Sequence, residues 1–230
     1  MKHIGIVGIT AEGAALCYQT ICREAAKKFP DFKHPEISIH QRSFHHILQA
    51  QERGKWNAVA GMILESIEKL HASGAEFAII PGNSVHYAIK LVRQKSPIPV
   101  LSIVEVAAEE CMEHGYRKAA ILGVGFTMKG GLYIEPLKDK GIEAYTLPEV
   151  DQKTVSDIIY QEIVPGNVTE RGLERLYGVM KRARNQNCDV AILACTELPI
   201  VLSEDKSDLS LLDTTRLLAK KAFEYSLKED

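Results

Sequence analysis

"GAEFAIIPGNS", residues 74–84, passes from a glycine through the apolar positions 77–80 and breaks into Pro81, Gly82, Asn83 and Ser84. A short apolar run closed by turn residues predicts a strand buried on both faces of a parallel sheet. "NCDVAILACTE", residues 187–197, repeats the layout with Cys195 where the first stretch carries Gly82. A second matched pair lies upstream of each: "HIGIVGIT" at 3–10 and "KAAILGVGFT" at 118–127. The interval from Gly8 to Gly82 is 74 positions, and that from Gly123 to Cys195 is 72. The following strands, "PIPVLSI" at 97–103 and "DLSLLD" at 208–213, also correspond. This doubled pattern predicts an α/β fold of two similar parallel-sheet lobes related by pseudo-two-fold symmetry, with an active site in the cleft between them.

Working outward, short Ile/Val/Ala-rich runs recur at 3–9, 36–41, 77–81, 98–103, 118–124, 143–147, 189–194 and 209–212. Between them, apolar residues fall at three- and four-residue spacing over 12–28, 57–72, 104–113, 152–163, 170–186 and 214–227, which predicts helices. Strand and helix in alternation imply right-handed crossovers. The first lobe is expected over 1–103 plus 214–230, with the last helix returning to it, and the second over 104–213.

Composition narrows the partners. The 28 basic and 30 acidic side chains leave a net charge of −2, too balanced to attract phosphate backbones or anionic lipid, so neither nucleic acid nor membrane is expected. No apolar run reaches the ~20 residues of a span, and the amino terminus lacks a signal-peptide pattern, which makes the cytoplasm the expected compartment. The five cysteines, at 17, 22, 111, 188 and 195, are scattered and form no CxxC pair; reduced thiols are expected rather than a disulfide framework or zinc cluster.

The two turns are the candidate site. Each follows a buried strand and precedes a helical pattern, so its backbone N–H groups point outward at the positive end of a helix dipole, where a carboxylate binds. Asn83, Ser84 and Thr196 add side-chain donors, and Thr10 and Thr127 end the first strand of each lobe. Cys195 has two readings: a thiol lowered at a helix N-terminus, serving as base or nucleophile, or a small apolar residue closing a strand. His86 faces the pocket or supports packing. The histidines of "HQRSFHH" (His40, His45, His46) are read as lying on an extended segment and pointing to opposite faces, so no metal site is expected there. "GIVGIT" and "GVGFTMKGG" complete no nucleotide-binding fingerprint and are read as tight turns.

The turns "PGNSVH" and "ACTELP", the opening "IGIVGIT", the strand "LGVGFTM" and the helix end "IIYQEIVPGN" together resemble the aspartate/glutamate racemase family over essentially the whole chain. The resemblance implies a homodimer and a cytoplasmic isomerase that needs neither pyridoxal phosphate nor metal. Its substrate would be a small acidic amino acid held between two cysteines, one thiolate removing the α-proton while the opposite thiol delivers one. By this resemblance Cys195 matches the second catalytic cysteine. Asn83, Ser84 and Thr196 match carboxylate-binding residues, and Thr10, Thr127 and Glu197 join the substrate-binding set. Gly82 stands where the first cysteine belongs, which leaves water, His86 or Ser84 to serve that side. Pro165 occupies a place where aspartate racemases can carry a lysine; Arg53 or Lys55 of "QERGKW" could supply that charge, against the reading of both as surface residues. Two alternatives follow from Gly82: decarboxylation of a malonate-like acid by a single cysteine, and a non-catalytic carboxylate-binding homologue.

Overall fold

The computed structural model describes residues 1–228; the last two residues of the expected first lobe and terminal helix, 229 and 230, lie outside the described residues. Its contacts divide the chain into two compact units, one made of Met1–Val106 with the segment from Thr215, the other of Ala107–Thr214.

In the first unit four strands, β1 (Ile4–Gly8), β2 (Ile37–Gln41), β3 (Phe77–Ile79) and β4 (Val100–Leu101), form an all-parallel sheet in the order β2-β1-β3-β4. In the second, β5 (Lys118–Leu122), β6 (Glu143–Tyr145), β7 (Val190–Leu193) and β8 (Ser210–Asp213) form a parallel sheet in the order β6-β5-β7-β8. The two sheets therefore share one topology. The order of strand addition reverses between β1 and β3 and between β5 and β7, and ligands of open α/β sheets bind outside the carboxyl ends of strands at such points.

The likeness extends to a device at the opposite end of each sheet. Glu76, just before β3, accepts from the backbone N–H of His3 at 2.6 Å, and its own N–H donates to the His3 carbonyl. Asp189, just before β7, accepts from the N–H groups of Arg117 and Lys118, and its N–H donates to the Lys118 carbonyl. An acid in each lobe thus satisfies donors where the first strand begins, a placement that the shared layout of 74–84 and 187–197 encodes.

Each sheet is buried by its own helices. Ile63, Ile67 and Leu70 of helix Trp56–Ala72 pack with Val7, Ala78 and Ile80. Leu176, Val179, Met180 and Ala183 of helix Glu170–Asn185 pack with Leu122, Ala191 and Leu193. The long helices start where the sequence supplies caps: Thr10 accepts from Gly13 N–H at 3.2 Å, and Thr169 from Gly172 N–H at 2.9 Å. Among the described residues no helix is long and apolar enough to cross a membrane.

Several short elements differ from expectation. His45 and His46 lie on helix Phe44–Glu52, not on an extended segment, because β2 ends at Gln41; both are exposed, and only His40 is in the strand. The expected helix over 152–163 is helix Glu149–Ile158 followed by a π-helical turn, Ile159–Ile163. Neither turn of the candidate site leads into a long helix. Asn83 is followed by a 3-10 turn, Ser84–Ala88, and the seven-residue helix Ile89–Lys95; Glu197 is followed by Leu198–Val201 alone. The helix-dipole argument for carboxylate binding therefore loses its support at the second turn, since a one-turn helix sums too few peptide dipoles.

Candidate functional site

The first turn begins where β3 ends. Pro81 is buried, Gly82 half-exposed, and the Gly82 N–H donates back to the Ile80 carbonyl at 2.8 Å. His86 holds this turn from below. Its Nδ1 donates to the Gly82 carbonyl at 2.7 Å, and its Nε2 accepts from the Ile103 N–H at 3.2 Å. Both partners fix the tautomer, since a carbonyl only accepts and an amide N–H only donates. Burial, with only 2 % of the residue exposed, pushes its pKa down to about 4, against the bond from Nδ1 that favours the charged form. The reading of His86 as a pocket-facing acid or base is corrected accordingly: both ring nitrogens are committed to backbone, and the residue positions the turn.

Asn83 is buried, with its carbonyl accepting from the His86 N–H. Ser84 Oγ accepts from Gln51 Nε2 at 2.9 Å, a bond that brings helix Phe44–Glu52 against the turn. The rings of Trp56 and Tyr87, which follows Ser84 in the chain by three residues, meet at a tilt of 40° with centroids 4.9 Å apart. Neither Gln51 nor Trp56 carries a motif that distinguishes it in sequence; only the fold brings them here. Thr10, at the end of β1, is engaged as a helix cap, with its hydroxyl proton still available to a ligand. Arg53 and Lys55 are exposed.

The second turn begins where β7 ends. Cys195 Sγ donates to Glu197 Oε2 at 2.9 Å. Burial and the neighbouring Glu197 carboxylate push the thiol well above its ordinary value, and the opposing pull of backbone N–H groups at Glu197 and Thr196 is weaker. The expectation of a thiol lowered by a helix N-terminus is corrected here: the thiol is raised instead, and it donates to one of the two Glu197 carboxylate oxygens. Thr196 is buried beside it. Thr127 lies close by, since a Cβ at Gly123 would stand 3.4 Å from the Thr127 Cβ and 2.9 Å from the Ala194 carbonyl oxygen. The Thr127 hydroxyl is 2 % exposed as a residue and has no hydrogen-bond partner, an arrangement that buried hydroxyls rarely keep without a ligand or water.

Two turns of matched topology, each with a polar lining and one with a protonated thiol, delimit the chemistry. Residues 6–222 match the Asp/Glu/Hydantoin racemase family. The chain belongs to that family. A broad-specificity amino-acid racemase of Bacillus subtilis is 28% identical over 158 residues, covering 69% of this chain and 68% of that protein. The glutamate racemase of Aquifex aeolicus is 25% identical over 171 residues, or 70% of this chain and 62% of its own length. Among solved structures, an aspartate racemase homologue from Pyrococcus horikoshii superposes with a TM-score of 0.87 at 26% identity, over 99% of this chain and all of that one.

Within this family member, the five cysteines are all free thiols. Cys17, Cys111 and Cys188 are buried, and burial pushes Cys111 up to about 12 and Cys188 up to about 11. Cys195 is the half-buried thiol at the carboxyl end of a central strand. Among the described residues no three His, Cys, Asp or Glu side chains gather in a metal-binding group.

Proposed function

We propose that the chain is a pyridoxal-phosphate-independent amino-acid racemase acting on a small acidic amino acid, with Cys195 as the group that carries the α-proton. The observation that supports this reading is the 2.9 Å bond from the Cys195 thiol to the Glu197 carboxylate. The pair holds one transferable proton. As it stands the thiol is an acid; when Glu197 takes the proton, Sγ becomes a base. An amino-acid substrate assists that transfer, because its ammonium group near Sγ favours the thiolate. The α-hydrogen then passes to sulfur as a proton, and the electron pair stays on the α-carbon, delocalised into the carboxylate. Return of the same proton restores the substrate. Delivery of a proton from water to the opposite face of the α-carbon gives the enantiomer, and the hydroxide left behind takes the proton that Glu197 holds, which restores the pair.

In the second unit the unpartnered Thr127 hydroxyl and Thr196 are suited to a carboxylate, and in the first unit so are Asn83, Ser84 and the Thr10 hydroxyl, each set by itself. The test is proton NMR of the two enantiomers of aspartate and of glutamate in heavy water. A loss of α-proton signal that disappears in Cys195→Ser supports the reading, and no exchange with any of the four defeats it for acidic amino acids.

The protonated state of Cys195 also favours a second reading, decarboxylation of a malonate-like acid. There carbon dioxide leaves with its carbon–carbon bond electrons kept by the substrate, and a neutral thiol then protonates the resulting carbanion. A dianionic substrate would hold the thiol protonated rather than ionise it. Carbon dioxide release from disubstituted malonates, without amino-acid exchange, would decide for it. Ligand-induced thermal stabilisation with neither reaction would leave a binding protein.

A further inference from the structure

The backbone at Gly82 has no need of glycine for its own sake. Its φ does not fall in the left-handed region, unlike those of Gly54 and Gly74 in the same unit. What excludes a side chain is Ile9. A Cβ at residue 82 would stand 2.9 Å from Ile9 Cγ1, 3.2 Å from its Cβ and 3.3 Å from its Cγ2. All three atoms sit on or next to the branched carbon, so no rotation of a flexible tip relieves the contact. Ile9 is only 3 % exposed and packs in the core with Val7, Ile80 and Val85, which leaves it little room to retreat.

The other lobe arranges the matching position differently. Ile4 pairs with Phe77 and Ala119 with Val190, so strand register sets Ile9 against Val124 and Gly82 against Cys195. Val124 is half-buried, and it and Cys195 both pack against the core cluster of the second unit, so position 195 carries a side chain where position 82 has none.

We propose that Ile9 is the specificity-determining residue of the first turn: its branched side chain fills the place of a Cβ at residue 82, keeps that position free of a proton-carrying side chain, and so leaves Cys195 without a counterpart at the matching strand end. The chemical consequence rests on the reading of Cys195 given above; the steric pairing does not. It makes position 82 a reporter of position 9, two residues 73 positions apart in the chain.

A double-mutant cycle tests the pairing without any activity. Gly82→Ala is expected to lower the unfolding temperature by about 5 °C, the scale of an overpacked core in a chain of this size. In an Ile9→Ala background the same substitution is expected to change it little. Equal losses in the two backgrounds would overturn the proposal. The chemical arm compares Gly82→Cys with Ile9→Ala/Gly82→Cys for deuterium entry into each enantiomer of aspartate and glutamate. The double variant is expected to exchange both enantiomers, and at least tenfold faster than the single variant for the enantiomer that wild type exchanges more slowly. Equal rates in the two variants would overturn the role of Ile9. If wild type and every variant fail to exchange any enantiomer, that result counts against the racemase reading alone, while the unfolding cycle still decides the pairing.

Discussion

The turn at Gly82 and the turn at Cys195 occupy the same place in two sheets of identical strand order, yet they are stabilised in opposite ways. The first is a backbone structure: His86 ties the Gly82 carbonyl to the Ile103 N–H, Gln51 ties Ser84 to a neighbouring helix, and Ile9 fills the place of a side chain. The second is a side-chain structure, in which a thiol and a carboxylate share a proton and a buried threonine hydroxyl is left unpartnered. A duplicated fold thus keeps its frame while its two strand ends diverge, one toward bonds that fix the backbone and the other toward a hydrogen-bonded thiol and carboxylate.

The sharpest way to break this comparison is to remove the chemical side. Cys195→Ser is expected to slow α-proton exchange about 10³-fold, within the range of a positioned acid–base group, with little change in unfolding temperature. An unchanged rate would mean that the second turn is as inert as the first.

Acid should discriminate the rigid side. Burial lowers the His86 pKa to about 4, below the value of about 6.5 that it has when unfolded, so between these values the unfolded chain binds the extra proton. The contribution is complete above pH 6.5 and is lost as pH falls toward 4, amounting to about 3 kcal/mol. Urea unfolding at pH 7.5 and 4.5 measures it. A His86→Leu variant, less stable at neutral pH, is expected to lose that part of the acid sensitivity; an identical slope would mean that the ring does not stay neutral in the fold.

Glu197→Gln is expected to cut exchange by about 10²-fold if the carboxylate receives the thiol proton. It should also move the midpoint of Cys195 alkylation to lower pH, because the substitution removes a negative neighbour and a charged acceptor. Movement of the midpoint upward would contradict the proton sharing drawn from the 2.9 Å bond.

The smallest effects compare two helix caps. Thr10→Ala and Thr169→Ala each remove a bond to the N–H three residues on and should each cost about 1 kcal/mol in unfolding. Only Thr10, which ends β1, should also raise the KM for substrate; equal kinetic effects would remove it from the site.

Much of the frame was legible in the sequence. Buried parallel strands appear as short apolar runs because both faces are covered, and the six long helices show their spacing over enough turns to stand out. The acids at 76 and 189 were not legible as strand-end partners, because their bonds reach residues 71 to 73 positions away in the chain. Short pieces were not legible. "HQRSFHH" reads as extended because its three residues of helix Phe44–Glu52 show too little periodicity to compete with the strand before them, and Leu198–Val201 is shorter than one heptad.

By itself the sequence determined the doubled strand pattern, the placing of Gly82 and Cys195 at matching strand ends, and the family resemblance, because each is written in residues close together in the chain. Only the tertiary structure decided the chemistry at those ends. The state of the Cys195 thiol depends on its burial and on the carboxylate it meets, and the tautomer of His86 on two backbone groups. The exclusion of a side chain at 82 depends on an isoleucine from another strand. These are properties of contact and solvent exclusion, which exist once the strands are side by side and have no counterpart in the order of residues.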